Sequence, residues 1–296
     1  IGDRDIGMKY RIAALLIVFI FAALQAPAVD SQTRTIDFAG RTWHVKSGFG
    51  GPGPNHWDDG TESVWVDDEN RLHLKIRKIG DTWHSAEVYS TEFTSYGTHR
   101  FYVESRVDTI DANAVAAAFL YSNDTTEIDI EFTRWGNVNE PDNAQYVVQP
   151  HSVQGNMQRF PMQLQGDRST HSFTWEPGVI IFQSLRGHHI EPPDTSYVIR
   201  EWQYVGDDIP EEEENLRIHF NLWQVEGKAP AGGKEVEMVI ADADFPETSP
   251  VPDGSRSSFP RGYSLEQNYP NPFNGETTIG YSLDTRARID IAVYSI

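Results

Sequence analysis

From Thr33 to Phe245 the chain consists of short segments in which apolar and polar residues alternate. Examples are "RLHLKIRKI", "HRFYVESRV", "EIDIEF", "VIIFQSL" and "LRIHFNLWQV". Alternation over four to eight residues, bounded by Gly, Pro, Asn and Asp, predicts strands with one apolar and one polar face. No long segment shows the period of an amphipathic helix. The pattern therefore predicts an all-β sandwich or barrel.

Two segments depart from this alternation. "AVAAAFLYS" is rich in alanine and could form a helix, but it lies between two strand segments, so we predict a buried strand. The run "EEEE", from Glu211 to Glu214, is predicted to be a solvated loop.

The segment "TTEIDIEFTRWG" carries three acids at alternate positions, Glu127, Asp129 and Glu131. Successive side chains of a strand point to opposite faces, so the acids share one face. The other face is apolar and carries Ile128, Ile130 and Phe132. A solvated edge strand would be the simpler interpretation of such alternation. However, three like charges on one face repel one another, which favours a functional role.

Strand geometry shows what these acids could do. At about 3.3 Å per residue, the α-carbons of Glu127 and Glu131 lie roughly 13 Å apart, and inward-leaning side chains would bring the carboxyl groups to roughly 6 Å. Retaining glycosidases need about 5 to 5.5 Å and inverting ones about 6.5 to 9.5 Å, so a strand curved toward this face favours retention. Asp129, between the two, could raise a neighbour's pKa by repulsion and keep one Glu protonated.

The motif "EIDIEF" resembles the catalytic strand of glycoside hydrolase family 16, in the unbulged Glu-x-Asp-x-Glu form of its lichenase and xyloglucan-active branches. Further resemblances occur in the family's order, from Thr33 to Glu247: "AEVYSTEFTSYGTHRFYVESRV", "NAQYVVQP", "HSFTWEPGVIIF" and "FNLWQ". The resemblance implies a two-sheet, concanavalin A-like β-jelly-roll sandwich. It also implies a retaining, endo-acting hydrolase of a β-linked polysaccharide.

The same resemblance assigns roles to individual residues. Glu127 is expected to be the nucleophile, Glu131 the general acid/base and Asp129 an electrostatic helper. The substrate-binding candidates are Asn55 and Trp57 in "GPGPNHW", Glu87 in "AEVYS", Trp135 and Trp223. Each of these could instead be a core or surface residue, and Trp175 is expected in the core.

Two further positions, Asp244 and Thr125, bear on metal binding and on substrate specificity. Asp244 matches a position that helps to hold a structural calcium in several relatives, so calcium is a further expectation, although no cofactor is required. No His-Glu-x-x-His spacing indicates a catalytic metal. Lichenases commonly have Trp two residues before the first catalytic Glu, where this chain has Thr125. This departure leaves the glucan linkage open.

The amino-acid composition limits the classes of molecule that the protein could bind. The 296-residue chain has a net charge of −20 and no cysteine. The charge argues against nucleic acid and anionic membrane surfaces, and it disfavours sulfated galactans relative to a neutral glucan. The 12% aromatic content, with 8 Trp, suits a sugar-stacking cleft. We expect a monomer whose partner is a β-glucan.

The two ends of the chain carry targeting signals. After Met8, Lys9 and Arg11, an apolar run of 13 residues, 12–24, is followed by Ala-Pro-Ala, which predicts that residues 1–28 are upstream residues and a cleaved signal peptide. Such a run is short for a transmembrane helix. The catalytic domain is predicted at 33–248, a Pro/Ser-rich linker at 249–262, and a further segment at 263–296. That last segment, with "LEQNYPNPFN", resembles the opening of a type IX secretion C-terminal sorting domain, cut short.

The sequence thus predicts a secreted or cell-surface retaining hydrolase of β-1,3-1,4- or β-1,3-glucan, which meets the secretion machinery through its C-terminal segment. Three alternatives stay open: a xyloglucan- or galactan-active hydrolase, a transglycosylase of the same fold, and a noncatalytic carbohydrate-binding sandwich.

Overall fold

The computed structural model describes residues 33–246, 263–265 and 281–283. The predicted signal peptide, the linker and most of the predicted sorting segment lie outside the described residues. No helix in the described part of the chain is long and apolar enough to cross a membrane.

Residues 33–246 form seventeen strands. They are β1 Thr35–Phe38, β2 Arg41–Val45, β3 Gly48–Gly50, β4 Asn55–Trp57, β5 Val64–Val66, β6 Leu72–Ile79, β7 Thr82–Phe93, β8 Gly97–Glu104, β9 Ala114–Asn123, β10 Thr126–Thr133, β11 Ala144–Val148, β12 Met157–Phe160, β13 Arg168–Glu176, β14 Val179–Arg186, β15 Val198–Tyr204, β16 Arg217–Gln224 and β17 Val236–Asp244. Two further strands, β18 Tyr263–Leu265 and β19 Tyr281–Leu283, pair with each other in antiparallel fashion.

The helical segments of the described residues are single 3₁₀ turns: Val107–Thr109, Thr195–Tyr197, Glu212–Glu214 and Val225–Gly227. The third corrects the prediction of a loop at Glu211–Glu214. The side chain of Glu211 accepts from the backbone of Glu214, and the side chain of Glu214 accepts from the backbone of Glu211, which forms a capping box around the turn.

Fifteen of the seventeen strands form two antiparallel layers, while β3 pairs with β4 and β4 pairs in parallel with β7. In the first, the order is β1–β2–β7–β16–β9–β10–β11–β12. In the second, the order is β5–β6–β17–β8–β13–β14–β15. The β6–β7 hairpin connects the layers. The predicted all-β sandwich is confirmed, and the alanine-rich segment is strand β9, as predicted.

The core lies between the layers because each layer turns one apolar face inward. β10 contributes Ile128, Ile130 and Phe132, which are at most 1% exposed. Trp175 on β13 is fully buried in the same core, as predicted. β9 is buried along most of its length because its small alanines pack between β10 and β16. The acidic face of β10 is therefore left on the outer side of the first layer.

Candidate active site

The three acids lie near the middle of the first layer. β10 is paired on one side with β9 and on the other with β11, so it is not an edge strand. In this register Glu131 lies opposite Ala117 and Gln145, and Glu127 lies opposite Tyr121. The small side chain of Ala117 leaves space above the sheet beside Glu131.

That space is a cavity of about 1120 Å³. Its floor includes Glu127, Asp129 and Glu131, together with outward-facing residues of β7, β9, β16, β11 and β12. From these neighbouring strands come Glu87, Phe119, Tyr121, His219, Asn221, Trp223, Gln145 and Arg159. The cavity thus combines carboxylates, aromatic rings and amides, which are the groups that bind sugars through stacking and hydrogen bonds.

Asp129 is only 3% exposed and lies between the two glutamates. Burial, followed by the charges of Glu127 and Glu131, raises the pKa of Asp129 well above its ordinary value. Asp129 and Glu127 share a hydrogen bond, which requires a proton on one of them. Gln149 Nε2 donates to Asp129 Oδ2 at 3.1 Å. The most buried acid is the least able to ionise, so Asp129 holds the proton and donates it toward Glu127.

The flanking glutamates are also perturbed. Burial raises the pKa of Glu127 to about 8, and the Glu131 charge adds to this, while the hydrogen bond from Asp129 opposes it. Burial raises the pKa of Glu131 to about 7, against the lowering effects of Gln145 and Arg159. The three groups lose their protons as one interacting set. Near neutral pH the set therefore retains protons, as general acid catalysis requires.

Glu131 has a hydrogen-bond partner on the next strand. Gln145 Nε2 donates to Glu131 Oε2 at 2.5 Å. The amide oxygen of Gln145 accepts from Trp135 Nε1 at 3.1 Å and from Arg159 Nη1 at 2.5 Å. Arg159 in turn donates to the carbonyl oxygen of Asp142. This arrangement joins β10, β11, β12 and Trp135, two residues beyond the end of β10.

A second group of charges lies in the same cavity. Glu87, 3% exposed, accepts from Lys46 Nζ at 2.7 Å and contacts His219 Nδ1 at 3.1 Å. Burial by itself would raise the pKa of Glu87, but His219 and then Lys46 overcome this and lower the pKa. His219 stacks between Tyr89 and Phe119, with ring centroids 5.4 and 4.8 Å away. Glu87 is therefore a fixed carboxylate at physiological pH.

The predicted substrate-binding residues separate into two groups. Glu87, Trp135 and Trp223 line the cavity. Trp135 is 41% exposed, and its ring meets the Trp223 ring edge-on at 5.8 Å. An exposed indole beside the carboxylates is suited to stack on a sugar.

Asn55 and Trp57 are not on the cavity surface, which corrects their prediction as cavity-lining residues. Asn55 is 1% exposed because its amide donates to the carbonyl oxygens of Pro52 and Gln224 and accepts from Ser85. Trp57 is 3% exposed and belongs to a small apolar cluster with Trp223. Both residues support the cavity wall from behind.

Asp244 lies at the end of β17. Its Oδ2 accepts from Tyr102 at 2.8 Å and from Arg100 at 3.2 Å. No group of three or more His, Cys, Asp or Glu residues suited to a metal occurs in residues 33–246 or the two short strands. Calcium near Asp244 stays a prediction.

Sequence reasoning missed Gln145, Gln149, Arg159, Lys46 and His219. Gln145 and Gln149 were within reach, since "QYVVQ" places them on one face of the strand that follows β10. Lys46 and His219 were not, because they reach Glu87 from positions far from it in the sequence, Lys46 just after β2 and His219 on β16.

Comparison with known proteins supports the fold. Neither a family model nor a curated protein matches the sequence. Among solved structures, the chain is similar to a β-glucanase of Bacillus licheniformis, with a TM-score of 0.53 and 17% identity over 70% of this chain and 92% of that chain. For a β-1,3-1,4-glucanase (lichenase) from a mouse hindgut metagenome, the TM-score is 0.51 and the identity 18%, over 69% of this chain and 92% of that chain. For a glycosyl hydrolase family 16 protein of Mycobacterium smegmatis, the TM-score is 0.50 and the identity 16%, over 68% of this chain and 90% of that chain. At these identities the comparison shows the fold, and the predicted β-jelly roll is confirmed.

Proposed function

We propose that the chain is a secreted, retaining, endo-acting glycoside hydrolase of family 16 that cleaves β-1,3-1,4- or β-1,3-glucan. The observation that carries the proposal is the row of three acids, Glu127, Asp129 and Glu131, along the floor of a cavity of about 1120 Å³. The similarity to glucanase structures supports the same activity.

In the proposed reaction, the interacting set reacts in the form in which Glu127 is ionised while Asp129 and Glu131 keep their protons. The Glu127 carboxylate attacks the anomeric carbon of the sugar. As the bond to the leaving oxygen breaks, Glu131 gives that oxygen a proton. A water molecule then attacks the glycosyl-enzyme, Glu131 accepts the water's proton, and the Glu127 carboxylate is released. Asp129 stabilises Glu127 as an anion through its hydrogen bond.

The charges of the cavity favour a neutral polymer. Six acids line it, namely Glu87, Asp124, Glu127, Asp129, Glu131 and Glu140, against three Lys and Arg side chains, Lys46, Arg134 and Arg159, and two histidines, His151 and His219. The buried Glu87 suits hydroxyl donors of a sugar, and it would repel a sulfate group. We therefore propose a neutral β-glucan, rather than agarose or carrageenan, as the substrate.

The first experiment measures reducing ends released from barley glucan, laminarin, xyloglucan, agarose and carrageenan. We expect release from barley glucan or laminarin, and no release from the sulfated polymer. Release from xyloglucan or agarose alone would change the substrate assignment. Longer products on addition of an oligosaccharide acceptor would indicate a transglycosylase, and no release from any polymer would indicate a binding module.

The second experiment separates the roles of the glutamates with an activated aryl β-glycoside and azide. Glu131→Ala keeps the nucleophile, so azide should attack the glycosyl-enzyme and yield the β-glycosyl azide. Glu127→Ala cannot form that intermediate, so direct attack should yield the α-azide. Glu176→Ala, at an exposed position on β13, is the control and should retain full activity. Exchanged anomers in the proton NMR spectrum would reverse the two roles.

A further inference from the structure

The amide of Gln145 has its orientation fixed by its neighbours. Its Oε1 atom faces two groups that can only donate, the Trp135 indole N–H and the Arg159 guanidinium. A flipped amide would turn its NH₂ group toward both donors and lose both bonds. The NH₂ group must therefore point the other way, where the structure places Glu131 Oε2 at 2.5 Å.

Other contacts hold this arrangement in place. Gln145 is 3% exposed and lies directly opposite Glu131 in the β10–β11 pairing. Arg159, on β12, lies opposite Gln145 and is also bonded to the carbonyl oxygens of Thr133 and Asp142. The backbone N–H of Trp135 donates to Thr133 Oγ1 at 3.0 Å. The donors therefore do not depend on Gln145 for their own positions.

We infer that Gln145 is the positioning residue of the acid/base Glu131, and that Trp135 and Arg159 hold its amide so that NH₂ always faces that carboxyl group. The inference rests on the proposed function for the role of Glu131. A permanent donor at Oε2 has two effects. It stabilises the ionised form of Glu131, and it confines the acidic proton of the other form to Oε1. The oxygen that gives up the proton is then always the same one.

Titratable and charged groups of several elements line the cavity together with Glu131. They include Glu127 and Asp129 on β10, Tyr121 on β9, His219 on β16, Arg159 on β12 and Arg134 after β10. Of these, the Arg159 charge lowers the pKa of Glu131, and so does the Gln145 amide. Loss of the amide should therefore extend the protonated, acid-competent form of Glu131 to higher pH.

The test compares Gln145→Leu with Trp135→Phe, Arg159→Met and the control Gln158→Leu. Gln158 is on β12, where its amide oxygen accepts from Arg200, and it does not line the cavity. The first readout is the pH profile of kcat/KM on the best glucan of the screen. We expect the basic limb of Gln145→Leu to move up by about one pH unit, since a hydrogen bond to a charged group corresponds to at least a tenfold change in an acid equilibrium.

The other variants should follow in a graded way. Arg159→Met should also move the basic limb upward, because it removes a positive charge and one of the two donors that hold the amide. Trp135→Phe removes only the indole N–H donor, retains an aromatic side chain and leaves Arg159 in place, so it should move the basic limb less. Gln158→Leu should leave the profile in place. A uniform loss of rate in Gln145→Leu, with an unmoved basic limb, would show that Gln145 is merely structural and would overturn the inference.

A second readout does not require activity. Carboxyl carbon NMR of glutamate-labelled protein gives the titration of Glu131 directly, with its signal identified by its loss in Glu131→Gln. An upward move of this titration in Gln145→Leu supports the inference even if no polymer is hydrolysed, in which case the proposed function alone fails. An unchanged Glu131 titration overturns the inference whatever the activity. If Gln145→Leu does not fold, Trp135→Phe and Arg159→Met decide by the same measurement.

Discussion

Replacement of Glu131 by Gln should stabilise the protein, and the gain should grow with pH. In the folded chain, burial raises the pKa of Glu131 to about 7 from an ordinary value of 4.5. An acid with a raised folded pKa is a source of stability that is fully present below its unfolded pKa. That stability is lost as pH rises through the folded pKa. The loss for Glu131 therefore falls between about pH 4.5 and pH 7. Gln cannot ionise, so the Glu131→Gln variant does not lose this stability as the pH rises.

The size of the gain can be worked out from the same pKa. A difference of about 2.5 pH units corresponds to roughly 3.4 kcal/mol at 1.36 kcal/mol per unit. Glu131 is half-buried and its carboxylate keeps the Gln145 hydrogen bond, so screening lowers this figure to about 1 to 3 kcal/mol. Loss of the Glu131 charge also relieves Glu127 and Asp129, whose pKa values it raises, which favours the upper part of the range.

Urea unfolding at pH 5, 6, 7 and 8, followed by tryptophan fluorescence with reversibility checked at each pH, measures the effect. We expect nearly equal midpoints near pH 5 and a higher midpoint for Glu131→Gln at pH 8. With a slope of roughly 2 kcal/mol per molar urea, the midpoint difference at pH 8 is about 0.5 to 1.5 M.

Glu176→Gln is the matched control, because Glu176 is exposed at the end of β13. It should give a small difference that does not vary across the pH series. If Glu131→Gln is no more stable than the parent at pH 8, or gains equally at pH 5 and pH 8, then burial does not penalise the Glu131 charge. The account of the site as a set of acids kept partly protonated would then be wrong.

Three further predictions concern other parts of the chain. Lys46→Met should lower the free energy of unfolding by about 1 to 3 kcal/mol, because it removes one of the two partners of the buried Glu87. In the same urea assay, the double variant with Glu87→Gln should recover part of this loss. Ile130→Ala should lower the free energy of unfolding by about 2 to 5 kcal/mol because the Ile130 side chain is fully buried. Ile181→Ala, at a position that is 45% exposed, should lower it by less than about 1 kcal/mol. Equal losses would contradict the assignment of these side chains to the core and to the surface. A chain that ends at Glu247 should keep its unfolding midpoint and its rate on glucan, and a large loss of rate in a folded truncated protein would contradict the proposed division between catalytic and export segments.

The elements that could be predicted from the sequence are those whose pattern is local. In β10, alternation places Ile128 and Ile130 in the core and Glu127 and Asp129 in the cavity, because a strand has no other way to arrange successive side chains. The turn at Glu212–Glu214 was missed for the opposite reason. Its capping box depends on reciprocal bonds between side chains and backbone, which four consecutive glutamates do not indicate by hydropathy.

The site was harder to predict because most of its partners are brought together by strand order. Asn55 was placed on the cavity surface by its motif, but its amide is engaged by Gln224, 169 residues away. Arg159 carries no local signal at all. It contacts Gln145 only because β12 pairs with β11 in register. A predictor that knew the pairing of β10, β11 and β12 would have found this chain of contacts.

The position of the acids on a central strand explains how the fold tolerates them. Full burial of an aliphatic or aromatic side chain contributes about 1.5 to 3 kcal/mol, so Ile128, Ile130 and Phe132 together supply roughly 5 to 9 kcal/mol on the inner face of β10. That exceeds the cost of about 1 to 3 kcal/mol that we assign to the ionised Glu131. β10 is also hydrogen-bonded along both edges, which holds the strand in the sheet against the repulsion of its outer face. An edge strand with the same sequence would lack half of these bonds. The alternation that brings the acids to the cavity thus also provides the apolar face that keeps them there.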